Sequence, residues 1–178
     1  LQVEWLPPSM GIGHPAIWII AVVFAIALGA LIGMLQGAMI AYLTIPSFIV
    51  TLGMLNIARG AALQVTDART IYSFPQTFND FGSKMIFGVP VVFLIALALV
   101  ALAWFVLSKT VFGRLLYGIG NNEEAVRLAG HSLMVYKVAA FTIAGALVGI
   151  ASIIYMARLN IASPIIGIGF ELNAIAAV

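Results

Sequence analysis

The sequence contains no cysteine, so disulfides, thiolate metal sites and cysteine nucleophiles are all excluded. Charge is nearly as scarce: 8% of the 178 residues are Asp, Glu, Lys or Arg, against about a quarter in an ordinary soluble domain. Eight basic and six acidic side chains leave a net charge of +2. That imbalance is too small to point to nucleic acid, and basic residues beside apolar runs report membrane orientation instead. The only two histidines, His14 and His131, lie far apart without metal-ligand spacing. Both read as loop or helix-end residues.

The start, "LQVEWLPPSM", has no initiating Met, no basic n-region and no cleavage pattern, so it is not a signal peptide. The end, "ELNAIAAV", stops inside an apolar run without a cap. Both features lead us to expect a fragment truncated at both ends. Enzymatic motifs are missing: there is no Walker lysine motif, no GxSxG and no HExxH. "GIGHPA" (11–16) has the letters of a dinucleotide fingerprint, but it follows no strand and contains Pro15. We assign no catalytic residue, cofactor or metal.

What remains is apolar, with 63% hydrophobic residues and a mean hydropathy of +1.17. No charge interrupts the runs between Glu4 and Arg59, Lys84 and Lys109, or Lys137 and Arg158, and a spanning helix needs roughly 20 mostly apolar residues. These runs predict spans over 16–43, 46–65, 90–108 and 138–157, and a further helix starting after 170. The fold class is therefore all-α: a polytopic transmembrane helix bundle, one domain over 1–178 with about four to five spans and a charged loop over 109–137.

Small residues recur every four positions in the first span, including Gly29, Gly33 and Gly37, and a second pair, Gly145 and Gly149, lies in the fourth. Such rows let helix backbones approach closely. Pro46 breaks the chain and opens the second span. There Asn56, Gly60 and Gln64 stand at i, i+4 and i+8, with Arg59 beside them. Arg59 falls roughly 20 Å past Pro46 by helical rise, an expensive depth for a charge. It reads either as a pathway residue or as a residue snorkelling to the far interface. Asn56 and Gln64 read either as interhelical hydrogen-bonding groups or as the lining of a polar path. The segment Asp67 to Gly88 reads as a folded interfacial loop, and "LNIASPIIGIGFELNAIAAV" as a surface or re-entrant excursion into another helix.

Lys109, Arg114, Arg127 and Lys137 give the 109–137 segment four basic residues, against two in Asp67–Gly88 and none before Ala16. The positive-inside bias places that segment in the cytoplasm. Within it, "NNEEAVRLAG" reads as a short capped helix. Asn121 is the expected N-cap, Glu124 completes a capping box, Glu123 and Glu124 suit the helix dipole, and Gly130 ends it. Ala125, Leu128 and Ala129 would form its apolar face. It is too short to be stable without packing, so it is either a helix lying on its own protein or headgroups, or a docking element.

"IPSFIVTLGMLNIARG" (45–60), "FGRLLYGIGNNEEAVRLAG" (112–130) and "ASPIIGIGFELNAIAAV" (162–178) resemble the membrane-spanning permease subunits of bacterial ABC importers for ribose, xylose, galactose and related monosaccharides. The likeness runs through nearly the whole chain. It implies a bacterial inner-membrane, multi-pass, non-catalytic permease that works with an ATP-binding cassette subunit, a second permease copy or homologue, an extracytoplasmic sugar-binding protein and membrane lipids. It also implies that 121–130 is the family's coupling helix, with Arg114, Asn121, Glu123, Glu124, Ala125, Arg127, Leu128 and Gly130 forming the contact region. Two departures stand out: Asn173 replaces the aspartate of the family's "ELDAIAAV", and a "GGIDLSVG" block is absent. The expected function is inward translocation of a monosaccharide, with Thr51, Asn56, Arg59 and Gln64 along the substrate pathway. The alternatives are a related permease for nucleosides or branched-chain amino acids, a non-transporting scaffold, or an intramembrane enzyme.

Overall fold

The computed structural model describes residues 15–72, 82, 84–86 and 88–177. His14, the fingerprint-like "GIGH" and most of the aromatic loop after Tyr72 lie outside the described residues. Eleven elements follow along the chain among the described residues. They are α1 (Pro15–Leu43), α2 (Ser47–Val65), β1 (Ile71–Tyr72), β2 (Met85–Ile86), β3 (Val89–Pro90), α3 (Val91–Lys109), α4 (Val111–Asn121), α5 (Glu123–Leu128), α6 (Leu133–Leu159), β4 (Ile161–Ala162) and α7 (Phe170–Ala176). Four helices, α1, α2, α3 and α6, are long and apolar enough to cross a membrane. The protein is a multi-pass helical membrane protein.

Proline opens three of the four long helices: Pro15 is the first residue of α1, and Pro46 and Pro90 precede α2 and α3 as N-caps with φ near −52° and −58°. These φ values are already helical, and the missing N–H is one that a helix N-terminus leaves unpaired anyway. Between α1 and α2 the chain reverses in three residues, with Thr44 held at φ 51°. At 29 residues, α1 is about 44 Å long, more than a ~30 Å hydrocarbon core requires.

The core of the fold is the antiparallel pair α1 and α6. A Cβ on Gly29 would meet the Gly145 carbonyl, one on Gly33 the Phe141 carbonyl, and one on Gly37 the Val138 backbone. On the other side, Gly149 lies against the backbone of Ala25 and Ile26. With hydrocarbon as solvent, there is no hydrophobic drive to bring two helices together. Close backbone packing through small residues supplies the attraction instead. For the same reason most large apolar side chains, such as Phe24, Leu97 and Val148, face outward, where they meet lipid or further protein rather than water.

The register of α1 against α6 places the α1–α2 turn and the α3 to α6 connection at one end of the bundle. At the other end β1 pairs antiparallel with β4, Ile71 opposite Ala162 and Tyr72 opposite Ile161. Thr70 Oγ1 donates to Ser163 Oγ across this join at 3.3 Å. β2 and β3 form a second small hairpin before α3.

The helix that carries the fourth expected span, 138–157, is longer than the span: α6 runs Leu133–Leu159, because Lys137 and Arg158 limit membrane burial and not helix formation. One sequence expectation needs correction. The 109–137 segment, expected to hold a single short helix, contains α4, α5 and the start of α6. The overlooked signals were Thr110, whose Oγ1 accepts from the Gly113 amide at 3.3 Å, and the helical spacing of Phe112, Leu115, Leu116 and Ile119.

Candidate functional site

Two regions hold the residues singled out by sequence. The first is the α4–α5–α6 end of the bundle. α3 turns into α4 so tightly that a Cβ on Gly113 would collide with the Leu107 backbone. α4 then lies against α6, with Phe112 and Tyr136 ring centroids 5.9 Å apart. Arg114 and Tyr117 are exposed on its outer side.

α5 follows after a single extended residue. Its N-cap is Asn122, whose Oδ1 accepts from the Ala125 amide at 3.2 Å, and Asn121 is the last residue of α4. The expected Asn121 cap is thus corrected by one position. α4, which the sequence reading did not include, takes up Asn121 as its last residue, which moves the third helical position of α5 from Glu124 to Ala125 and removes the capping box. Gly130 stands at φ +83° after the helix. Its amide donates to the Arg127 carbonyl at 3.0 Å, and that of His131 donates to the Val126 carbonyl at 3.3 Å. This pair of bonds is a Schellman closure, which needs a residue free to adopt left-handed backbone.

The acidic residues have different partners. Glu124 Oε1 receives Arg127 Nη2 at 2.7 Å within α5, whereas Glu123 Oε1 receives Lys137 Nζ from α6 at 2.7 Å. The residue that seats α5 on the protein is Val126, which is 9% exposed and faces Gly118 of α4. Sequence reasoning passed over Val126. Ala125, Leu128 and Ala129 all lie exposed, Leu128 at 79%. The short helix therefore has an inner contact through Val126 and an apolar face turned outward.

The second region is α2 and its surroundings. At about 100° per residue, Asn56 and Gln64 lie about 80° apart, whereas Thr51 is about 140° away from each. Thr51 Oγ1 donates to the Ser47 and Phe48 carbonyls at 2.9 and 3.1 Å, and Asn56 Nδ2 to the Leu52 carbonyl at 3.0 Å. Gln64 is exposed and Arg59 half-buried; neither of the two ion pairs among the described residues involves Arg59. No atom lies within 4 Å of a Cβ built on Gly53 or Gly60, so the face carrying Asn56, Gly60 and Gln64 is open.

None of Thr51, Asn56, Arg59 and Gln64 lines the cavity of about 580 Å3 that lies between the end of α2, the C-terminal half of α6 and the segment leading into α7, lined by Thr66, Ser152, Tyr155, Ser163 and Phe170 among others. Tyr155 and Phe170 meet edge to face, with ring centroids 5.4 Å apart. The Thr66 hydroxyl donates to the Ala62 carbonyl and that of Ser152 to the Gly149 carbonyl, each at 2.8 Å. This leaves a mainly apolar space with little free hydrogen-bonding capacity. One part of its lining, Ala162 to Phe170, falls in the block quoted over 162–178, while the parts from α2 and α6 carry no motif.

The family model described as "Branched-chain amino acid transport system / permease component" matches residues 5–178. A ribose import permease protein of Escherichia coli is 38% identical over 165 residues, covering 90% of this chain and 51% of that protein. A D-allose transport system permease protein of Escherichia coli is 31% identical over 156 residues, covering 88% and 48%. An autoinducer 2 import system permease protein of Escherichia coli is 32% identical over 158 residues, covering 89% and 46%. The chain spans about half the length of the curated relatives it matches. No solved structure matches it.

Proposed function

The chain belongs to the branched-chain amino acid transport system / permease component family, and on that premise we propose that it serves in the membrane-spanning permease of an ATP-driven ABC importer. Its site is the bacterial inner membrane and its solute a monosaccharide of the ribose or allose kind. The chain performs no covalent chemistry in this reading. A partner ATP-binding cassette subunit hydrolyses ATP, an extracytoplasmic binding protein delivers the sugar, and a second permease copy or homologue completes the pathway.

The observation that carries this reading is the construction of α5. A helix of six residues cannot stand alone, yet this one is capped at both ends, seated by Val126, and turned so that Leu128 faces away from its own protein. Exposed apolar surface at the charged end of a membrane bundle suits a protein partner better than water. The docking surface in this reading comprises Ala125, Leu128, Glu124 and Arg127, flanked by Arg114 on α4. Asn121 and Gly130 contribute through backbone geometry.

Along α2, the open face with Asn56 and Gln64 is our proposed lining of the solute path. Amide side chains can both donate to and accept from sugar hydroxyls. Arg59 is assigned to the outer gate. Thr51 is the weakest member, since its hydroxyl is engaged by its own helix and it faces elsewhere. The apolar cavity beside Tyr155 is a poor fit to a polyol.

ATP-dependent uptake of labelled ribose and labelled leucine into vesicles holding the co-expressed ATP-binding subunit tests the assignment, with the corresponding binding proteins supplied. Uptake of ribose alone supports it. Uptake of leucine alone supports a second reading, motivated by the family's description, of an amino-acid permease. Absence of both with the subunits assembled removes the transport reading.

A further inference from the structure

We propose that Lys137 is a positioning residue for energy coupling: its ion pair with Glu123 straps α5 to α6, so that a force applied to α5 moves the α1–α6 pair instead of flexing the connection. The inference rests on the coupling-helix reading above and deepens it.

The two acidic residues of α5 are adjacent in sequence but differ in what they hold. Glu124 bonds Arg127 on the same two-turn helix, a contact that transmits nothing beyond α5. Glu123 reaches Lys137, in the second turn of α6, at 2.7 Å. Between the two helices run Ala129 to Ser132, with Gly130 in left-handed backbone and Ser132 making no side-chain cap on α6. A connection of that kind is a natural hinge. Val126 seats α5 on α4, but the ion pair of Glu123 with Lys137 ties α5 to α6 directly, and without it displacement of α5 relative to α6 would be taken up at that hinge.

Electrostatics at the α6 N-terminus favour the pair. Lys137 sits near the positive end of its helix dipole, where a cation is disfavoured, and the first turn of α6 carries no acidic residue to compensate. Glu123, at the first position of α5, provides the missing negative charge from the neighbouring helix. The Lys137 side chain is 27% exposed and that of Glu123 54%, so the ammonium is partly sheltered while water reaches the carboxylate.

The attachment point continues directly into the tightest packing of the fold. Val138, the next residue, faces Gly37 of α1, and Phe141 one turn on faces Gly33. Close-packed backbones cannot slide without losing contact, so α6 and α1 respond together. In this proposal Glu123 belongs to the inside of the lever, in place of the motor contact expected from the sequence. Contact with the motor falls to Glu124, Arg127 and Leu128.

The experiment uses the permease co-expressed with its ATP-binding subunit. In a background from which any cysteine elsewhere in the permease and in the ATP-binding subunit has been removed, Leu43→Cys places a single thiol at the end of α1. Thiol labelling rates are measured with and without vanadate-trapped ADP in the parental background, in Glu123→Gln, in Lys137→Gln, and in the exchange Glu123→Lys with Lys137→Glu. Co-purification of the ATP-binding subunit is scored in each. The expected result is a several-fold nucleotide-dependent change in rate in the parental protein. That change is lost in both single variants although the ATP-binding subunit still co-purifies, and the exchange restores it.

A change that persists in the single variants overturns the strap, as does failure of the exchange to restore it. Loss of co-purification in Glu123→Gln alone moves Glu123 to the motor interface and overturns the strap too. Failure of the parental protein to co-purify overturns the coupling-helix reading itself, and the strap with it.

Discussion

Gly29 and Gly145 meet backbone to backbone: a Cβ on either would run into the other's carbonyl oxygen. The contact is central to the α1–α6 pair, and the neighbouring helices cannot move apart at this point without opening the Gly33 and Gly149 contacts as well. Gly145→Leu is expected to destabilise the fold by about 1–3 kcal/mol, the usual cost of overpacking. Gly60→Ala, in open space on α2, is expected to leave it nearly unchanged. Thermal unfolding in detergent, followed by circular dichroism, distinguishes the two. Equal destabilisation by both would contradict the pairing.

The α5 cap gives a sharper test, because sequence and structure name different residues. Asn122→Ala removes the side chain that accepts from the Ala125 amide, a loss of about 1 kcal/mol for an N-cap. Hydrogen exchange at Ala125 should accelerate about fivefold, as expected for that energy. Asn121→Ala, inside α4, should leave it unaltered. Acceleration in Asn121→Ala alone would return the cap to the position suggested by sequence.

The C-terminal closure of α5 depends on one backbone angle. Gly130→Ala places a Cβ at φ +83°, with an expected cost of about 1–2 kcal/mol, while Gly130→Asn should cost less since asparagine tolerates that region. The same exchange measurement, at the Gly130 and His131 amides, orders Gly, Asn and Ala. No difference among the three would show that the closure does not form.

These comparisons show where the residues alone were informative. Most spans were legible because a bilayer imposes a length and makes charge costly, so long apolar runs mark them, while the second, which holds Arg59, was marked by Pro46 at its start. The glycine rows were also legible, since a four-residue spacing of small side chains has few other uses in lipid. What each row packs against was not, because nothing in the α1 letters names Phe141 or Val138 as a neighbour. Around α5 the sequence located the helix but misplaced its cap by a residue and its apolar contact by a face. Val126 and Leu128 lie about 200° apart on the helix, so one must turn away from the other, and that Val126 is the inward one is settled by Gly118 of α4 beside it, a tertiary contact the letters of α5 do not name. The partner of Glu123 was hidden for a similar reason: Lys137 lies fourteen residues on, in a helix that begins earlier than its apolar stretch.

Sidedness can be checked with single cysteines, since these 178 residues contain none of their own. Arg69 and Ser132 are both exposed and belong to opposite ends of the bundle. In intact cells an impermeant maleimide is expected to label Arg69→Cys and to spare Ser132→Cys until the membrane is opened. The reverse pattern would invert the orientation drawn from the basic residues, and labelling of both would remove the membrane from between them.

The outward position of Leu128 leads to the prediction most directly tied to function. A leucine that is 79% exposed on the free protein gains about 1.5–3 kcal/mol on full burial at an interface, equivalent to roughly ten- to a hundredfold in affinity. Leu128→Asp removes that gain and also introduces a charge that would need a partner in the groove. The binding of the ATP-binding subunit to membranes should therefore weaken by at least about tenfold, while insertion of the permease, measured by its membrane fraction, stays normal. Adding Ala125→Arg on the same exposed face should abolish co-purification. Val126→Asp provides the contrast: it strikes the contact that seats α5 on α4, so it should disturb the hydrogen exchange of the whole segment as well as binding. If Leu128→Asp bound the subunit with undiminished affinity, the outward apolar face would have to serve some other surface, and docking through α5 would no longer account for its geometry.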